Sequence, residues 1–273
     1  MTKTELTSQI IQKRSYLCIG LDTDENKIPK HLRANADGVF EFNKAIIDAT
    51  KDHCVSYKIN TAFYEAMGSK GWDIMERTVN YIPQTHFKIA DAKRADIGNT
   101  SHHYAKAFFE QLNFDAVTVA PYMGEDSIRP FLEYPGKWTI VLGLTSNPGA
   151  KDFELLPLSN TPQVLYEKVI ETIATWGTPD NLMFVVGATQ DEEFLNIRSI
   201  IPDHFLLVPG VGFQGGSLEE ISKNAMTNDV GLLVNVSRAV IYASSNENFA
   251  QDAASIANEY VEEMKRYLAN NGL

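Results

Sequence analysis

Cysteine is nearly missing from this chain of 273 residues, which holds 2, Cys18 and Cys54. That scarcity argues against a disulfide scaffold. Each cysteine lies in or beside an apolar run, so buried free thiols in a reducing compartment are expected. Basic charge is also scarce. Lysine and arginine number 24 against 35 aspartates and glutamates, a formal net charge of -11, and a polyanionic partner such as nucleic acid or an acidic membrane requires a basic surface. Apolar stretches of signal-peptide or membrane-spanning length are lacking, the start Met1-Thr2-Lys3-Thr4-Glu5-Leu6 included, so a cytoplasmic location is expected. No linker or low-complexity tract divides the chain. What is present, 44% hydrophobic and 22% charged residues, fits one globular domain over residues 1–273 with a sizeable core.

Apolar, often β-branched runs alternate with amphipathic segments, the pattern of parallel strands joined by crossover helices. Eight strands are expected, at Tyr16 to Leu21, Val55 to Ile59, Phe87 to Ala90, Ala116 to Val119, Thr139 to Leu144, Met183 to Val186, Phe205 to Val208 and Leu232 to Val236. Helical periodicity falls between them, at Phe40 to Thr50, Ile74 to Tyr81, Ser101 to Phe109, Val164 to Trp176 and Glu192 to Ser199, and a last helix, Phe249 to Leu268, follows the eighth strand. Eight βα units in a chain of this length point to an α/β fold of the closed (β/α)8, or TIM, barrel type, with a doubly wound open sheet as the lesser alternative. Phe108 and Phe109 read as core packing.

In a barrel the residues just after each strand converge on one face, where the chemistry sits. The third strand runs into Asp91-Ala92-Lys93-Arg94-Ala95-Asp96, in which Asp91, Lys93 and Asp96 set charges of alternating sign at a place where an unpaired charge is costly. Residues two apart share a face of a strand, so Asp91 and Lys93 project together. Asp96 falls in the following turn, and Asn99 or Thr100 is placed to cap the next helix. This segment alone reads equally well as an ion-pair network tying two strands together. Lys58, at the end of the neighbouring strand, tips the balance, because it adds a second ammonium beside Asp91 and completes an array suited to chemistry on a charged substrate. Opposite lie Pro209-Gly210-Val211-Gly212-Phe213-Gln214-Gly215-Gly216 and, after the eighth strand, Arg238. The glycines alone suggest a tight turn, but backbone N–H groups together with the Arg238 fork and the Gln214 amide suit a phosphate. The six histidines are scattered, and His102 and His103, adjacent on a helix, diverge; no metal is expected.

The segment Asp91-Ala92-Lys93-Arg94-Ala95-Asp96-Ile97 resembles the Asp-x-Lys-x-x-Asp signature of the orotidine 5'-monophosphate decarboxylase family. Lys58 to Glu65, Pro121 to Ser127 and Thr145 to Ala150 are similar to segments of its longer bacterial subgroup, with Ala95 in place of the usual glycine and Ala120 in place of a common asparagine. The resemblance spans Gly20 to Arg238. It implies decarboxylation of orotidine 5'-monophosphate to uridine 5'-monophosphate without metal or organic cofactor, in a homodimer with shared active sites. It further implies that Lys93 stabilises and protonates the C6 carbanion, that Asp91 lies against the substrate carboxylate, and that Lys58 holds Asp91 ionised and contacts the ribose. Asp96, with Thr100 beside it, would reach into the neighbouring subunit's site. Asp22 and Asn60 would contact the ribose, Ser146 the pyrimidine edge, Pro209 the region of the carboxylate, and Gln214 and Arg238 the phosphate. The alternatives are a magnesium-dependent sugar-phosphate decarboxylase or synthase of the same suprafamily and a non-catalytic nucleotide-binding barrel.

Overall fold

The computed structural model describes residues 1–189, 193–212 and 215–273. Among them eight strands form one parallel sheet: β1 (Leu17–Gly20), β2 (Ser56–Asn60), β3 (Phe87–Arg94), β4 (Ala116–Val119), β5 (Trp138–Leu144), β6 (Leu182–Val186), β7 (Phe205–Pro209) and β8 (Leu232–Val236). Each pairs with its sequence neighbours, and β1 pairs with β8 through Leu17↔Val234, Cys18↔Asn235 and Ile19↔Val236, which closes the barrel. A doubly wound sheet would leave two edges, so that alternative is set aside. Strands β1, β4, β6 and β8 are buried along their whole length, as both faces of a parallel strand are covered by the barrel interior and the outer helices. Trp138, at the start of β5, packs edge-on against Phe87 at 5.8 Å and Phe205 at 6.2 Å, which fills the barrel at the end where its strands begin. Cys18 and Cys54 are buried free thiols.

The helix Lys3–Lys13, which no apolar periodicity announced, is nucleated by a reciprocal cap. Thr2 Oγ1 accepts from the Glu5 N–H at 3.2 Å, and the Glu5 carboxylate accepts from the Thr2 N–H at 2.7 Å. The long closing helix runs Phe249–Asn270, close to expectation. Of the expected helix Glu192 to Ser199, Glu192 lies outside the described residues; the helix itself runs Glu193–Ile200.

Two expectations around the charged rim need correction. The third strand does not stop at Ala90 but continues to Arg94, with a break in its β4 register between Ala90 and Arg94. The continuation depends on Lys93 adopting φ +47°, a left-handed conformation that no residue pattern signals outside glycine. The following helix starts at Gly98 and runs to Lys106, its N-cap is Ile97, and neither Asn99 nor Thr100 caps it, since both fall within its first turn. Asp96 organises this entry instead: its carboxylate accepts from the Ile97 N–H at 2.8 Å, and its carbonyl accepts from Ser101 Oγ at 2.5 Å. After Lys106 the helix widens into a π-turn, Ala107–Gln111, which carries the buried Phe108 and Phe109.

Candidate active site

The carboxyl ends of β1, β2 and β3 bring Asp22, Lys58, Asp91 and Lys93 together. Lys58 is 4% exposed; its Nζ lies 2.9 Å from Asp91 Oδ2 and 3.6 Å from Asp22 Oδ1. Lys93 Nζ meets the other Asp91 oxygen, Oδ1, at 2.5 Å. Asp91 therefore stands between two ammonium groups contributed by two strands. Burial by itself would raise the Asp91 pKa, but Lys58 and Lys93 outweigh it and hold the carboxyl well below the usual carboxylate range. Burial likewise disfavours charge on Lys58, and Asp22 and Asp91 reverse that effect, so its pKa lies above the ordinary lysine value. All of this keeps Lys58 and Asp91 ionised through neutrality.

The backbone at Asp22 is fixed by two tyrosines from outer helices and loops. Tyr64 OH donates to the Leu21 carbonyl at 2.9 Å, while Tyr242 OH donates to the Asp22 carbonyl at 3.2 Å and accepts from the Asp24 N–H at 2.8 Å. Asp22 Oδ1 is buried and accepts no hydrogen bond among the described residues. Asn60 both lines the site and caps the helix Thr61–Glu65, its side-chain oxygen accepting from the Ala62 N–H at 3.3 Å.

Asp22, Lys58, Asn60 and Asp91 border a cavity of about 170 Å³ whose far wall is Pro209 and Gly210 at the end of β7 and Asn235, Ser237 and Arg238 at the end of β8; Lys93 reaches Asp91 from outside that lining, with its side chain half exposed. Gly210, Gly212 and Gly215 have φ of +102°, +76° and +91°, so the loop after β7 takes a path closed to side-chain-bearing residues without strain. Gln214, expected in the same loop, lies outside the described residues. Arg238 opens the short helix Arg238–Ile241 and lines the cavity beside this loop, an arrangement that suits a phosphate.

Ser146, Asp96 and Thr100 do not line this cavity. Ser146 follows β5 and packs on Gly187, where an added Cβ would lie 2.7 Å from Ser146 Cβ and 2.8 Å from its backbone nitrogen. Its neighbour Thr145 is anchored to the Glu154 carboxylate through its N–H at 2.7 Å and its hydroxyl at 2.8 Å. Asp96 is half-buried and Thr100 exposed at the rim beyond Lys93.

Three residues at or beneath the site were not singled out from the sequence. Asn235 and Ser237 line the cavity, with Asn235 Nδ2 donating to Ser237 Oγ at 3.3 Å. A polar residue inside Leu-Leu-Val-Asn-Val was the available signal. Thr118 donates to Asp91 Oδ1 at 3.0 Å, and it gave no signal because threonine is an ordinary strand residue.

Known proteins resemble the chain along nearly its whole length. Over 271 residues, 98% of each chain, the sequence is 55% identical to an orotidine 5'-phosphate decarboxylase of Bacteroides fragilis. Over 267 residues, 97% of each chain, it is 58% identical to one of Flavobacterium johnsoniae. Among solved structures, an OMP decarboxylase of Leishmania donovani superposes with a TM-score of 0.85 at 34% identity, covering 98% of both chains. A family sequence model described as orotidine 5'-phosphate decarboxylase / HUMPS matches residues 15–253, a span that holds all eight strands and the charged rim; the chain belongs to that family.

Proposed function

We infer that this chain decarboxylates orotidine 5'-monophosphate to uridine 5'-monophosphate, with residues 1–273 acting as one (β/α)8 catalytic domain and with no metal or organic cofactor. The observation that carries the mechanism is the pair of ammonium groups on Asp91, at 2.9 and 2.5 Å. Breaking the bond between C6 and its carboxylate releases carbon dioxide and leaves an electron pair on C6 that the ring does not delocalise. Stabilisation must come from charge held at the site, and the Lys93 ammonium, kept on Asp91 beside the cavity, supplies it. The same group transfers its proton to C6, and water restores it. Asp91, kept ionised by Lys58, sets the position of Lys93 and disfavours a second carboxylate beside it until that carboxylate departs as carbon dioxide.

Arg238 and the glycine loop hold the phosphate, remote from C6, where binding energy is available to close the site; Gln214 belongs to the same proposal. Asp22 and Asn60 face the ribose, Pro209 the carboxylate region, and Ser146 the pyrimidine edge. The active assembly is a homodimer in which Asp96 and Thr100 serve the neighbouring site. Ile97, Tyr122 and Met123 support this reading, since they are 58%, 90% and 42% exposed at the same rim and would be covered by a second subunit. No helix among the described residues is long and apolar enough to cross a membrane, and the two buried thiols fit a cytoplasmic enzyme. The test is loss of the orotate ultraviolet band from orotidine 5'-monophosphate in excess chelator, with Lys93→Ala as control. Metal-independent loss confined to the wild type is expected; conversion that requires magnesium, or binding without conversion, would overturn the reading.

A further inference from the structure

Thr118 is fully buried in β4, between Val117 and Val119, which are equally buried. A hydroxyl in such a place is costly unless it is bonded, and both of its bonds run to the charged end of β3. It accepts from the Lys93 N–H at 2.9 Å and donates to Asp91 Oδ1 at 3.0 Å. The ladder between the two strands explains why a side chain is needed. Ala90 faces Val117 and Arg94 faces Val119, so residues 91, 92 and 93 of β3 stand opposite Thr118 alone. The bulge removes Lys93 from regular backbone pairing, and the Thr118 hydroxyl takes the place of a carbonyl acceptor. It does so where Lys93 has φ +47°, a conformation that persists in a non-glycine residue only when its surroundings hold it. That kink turns the Lys93 side chain back onto the carboxylate two residues earlier.

We propose that Thr118 is a positioning residue of the reaction, whose single hydroxyl sets both the backbone that presents Lys93 and the orientation of the Asp91 carboxylate. The proposal rests on the catalytic reading of the Lys58, Asp91 and Lys93 array given above. Asp91 receives donors from three strands: Lys58 on Oδ2, and Lys93 and Thr118 on Oδ1. Lys93 has to turn from Oδ1 toward C6 as it gives up its proton, and Thr118 keeps a donor on that oxygen while it does. The neutral donor thereby stops the carboxylate from following the ammonium.

Thr118→Val keeps shape and strand preference and removes the hydroxyl, whereas Thr118→Ser keeps the hydroxyl and removes the methyl. The expected result is a fall in kcat of about 10- to 100-fold for Thr118→Val with KM within about threefold of wild type. Thr118→Ser should recover kcat to within about threefold. Should Thr118→Val fail to fold, Thr118→Ala against Thr118→Ser makes the same comparison, since they differ by the hydroxyl alone. Wild-type kcat in Thr118→Val, or equal impairment of the variants with and without the hydroxyl, would overturn the proposal. A Lys93→Ala enzyme measured in parallel separates the two readings: if it stays active, the catalytic array itself is wrong, and if it is inactive while Thr118→Val is normal, only the role of Thr118 falls.

Discussion

Asp91 and Lys93 share an ion pair but contribute differently to the folded state. The Lys93 side chain is 50% exposed and that of Asp91 11% exposed, so Lys93→Ala should change stability by less than about 1 kcal/mol while lowering turnover more than about 1,000-fold. Asp91→Asn strands the buried Lys58 ammonium with only Asp22, 3.6 Å away, and should cost about 3 kcal/mol. Urea unfolding of the two variants beside wild type checks the contrast. The pH dependence of the buried Asp91–Lys58 pair follows from the directions of its shifts. Asp91, depressed in the folded state, adds stability that is fully present above its ordinary value of 3.8 and is lost as pH falls below it. Lys58, raised in the folded state, adds stability that is fully present below its ordinary value of 10.5 and is lost as pH rises beyond it. Between those limits the array leaves stability flat.

At the level of elements, the end of β3 is gripped from both sides. Thr118 holds it from β4, and Glu65, at the end of the helix that Asn60 caps, pairs with the Arg94 guanidinium. Arg94 also lies 5.3 Å from the Tyr104 ring and 5.4 Å from that of Phe108. Glu65→Gln should therefore lower stability by about 1 kcal/mol and loosen the segment 91–96, which faster amide exchange there would report. Much of this architecture was legible. The strands announced themselves as apolar runs, and most of the charged site as lysine and aspartate placed where an unpaired charge is expensive. The barrel's closure followed from the number of βα units. The bulge in β3 was not legible, because a left-handed lysine has no sequence mark and is imposed by contacts from β4 and the helix Thr61–Glu65. Nor was Thr118, since its residue type is as common in a purely structural strand. The early start of the helix Gly98–Lys106 escaped notice because its entry is organised by Asp96 and a backbone carbonyl rather than by a side chain at the cap.

Across the whole molecule, the binding site and the two buried histidines that titrate in mild acid sit at opposite ends of the barrel. Near the starts of the strands, Arg198 donates to the carbonyls of Ala225, Ile201, His204 and Gly231 at 2.7, 3.2, 2.6 and 2.9 Å, which ties together the approaches to β7 and β8. Close by, burial and then the Arg198 charge push His204 down to about 4; before β3, burial and then the Lys13 ammonium push His86 down to about 4. Both folded values lie below the ordinary 6.5, so the unfolded chain binds more protons over that interval. Stability is accordingly full above about pH 6.5 and falls toward pH 4, with a slope approaching about 2.7 kcal/mol per pH unit if both histidines titrate together. His204, whose two ring nitrogens have no hydrogen-bond partner among the described residues and whose ring lies against Phe184 at 5.7 Å, offers the check. His204→Phe should reduce that slope by about half in denaturation measured at several pH values and leave KM unchanged. The contact between β5 and β6 carries a consequence for inheritance. Every codon change that replaces Gly187 adds a Cβ within 2.8 Å of the Ser146 backbone, a clash that no rotamer relieves. Saturation mutagenesis under selection for growth without supplied uracil should return glycine alone at this position, so that no lineage passes through another residue there.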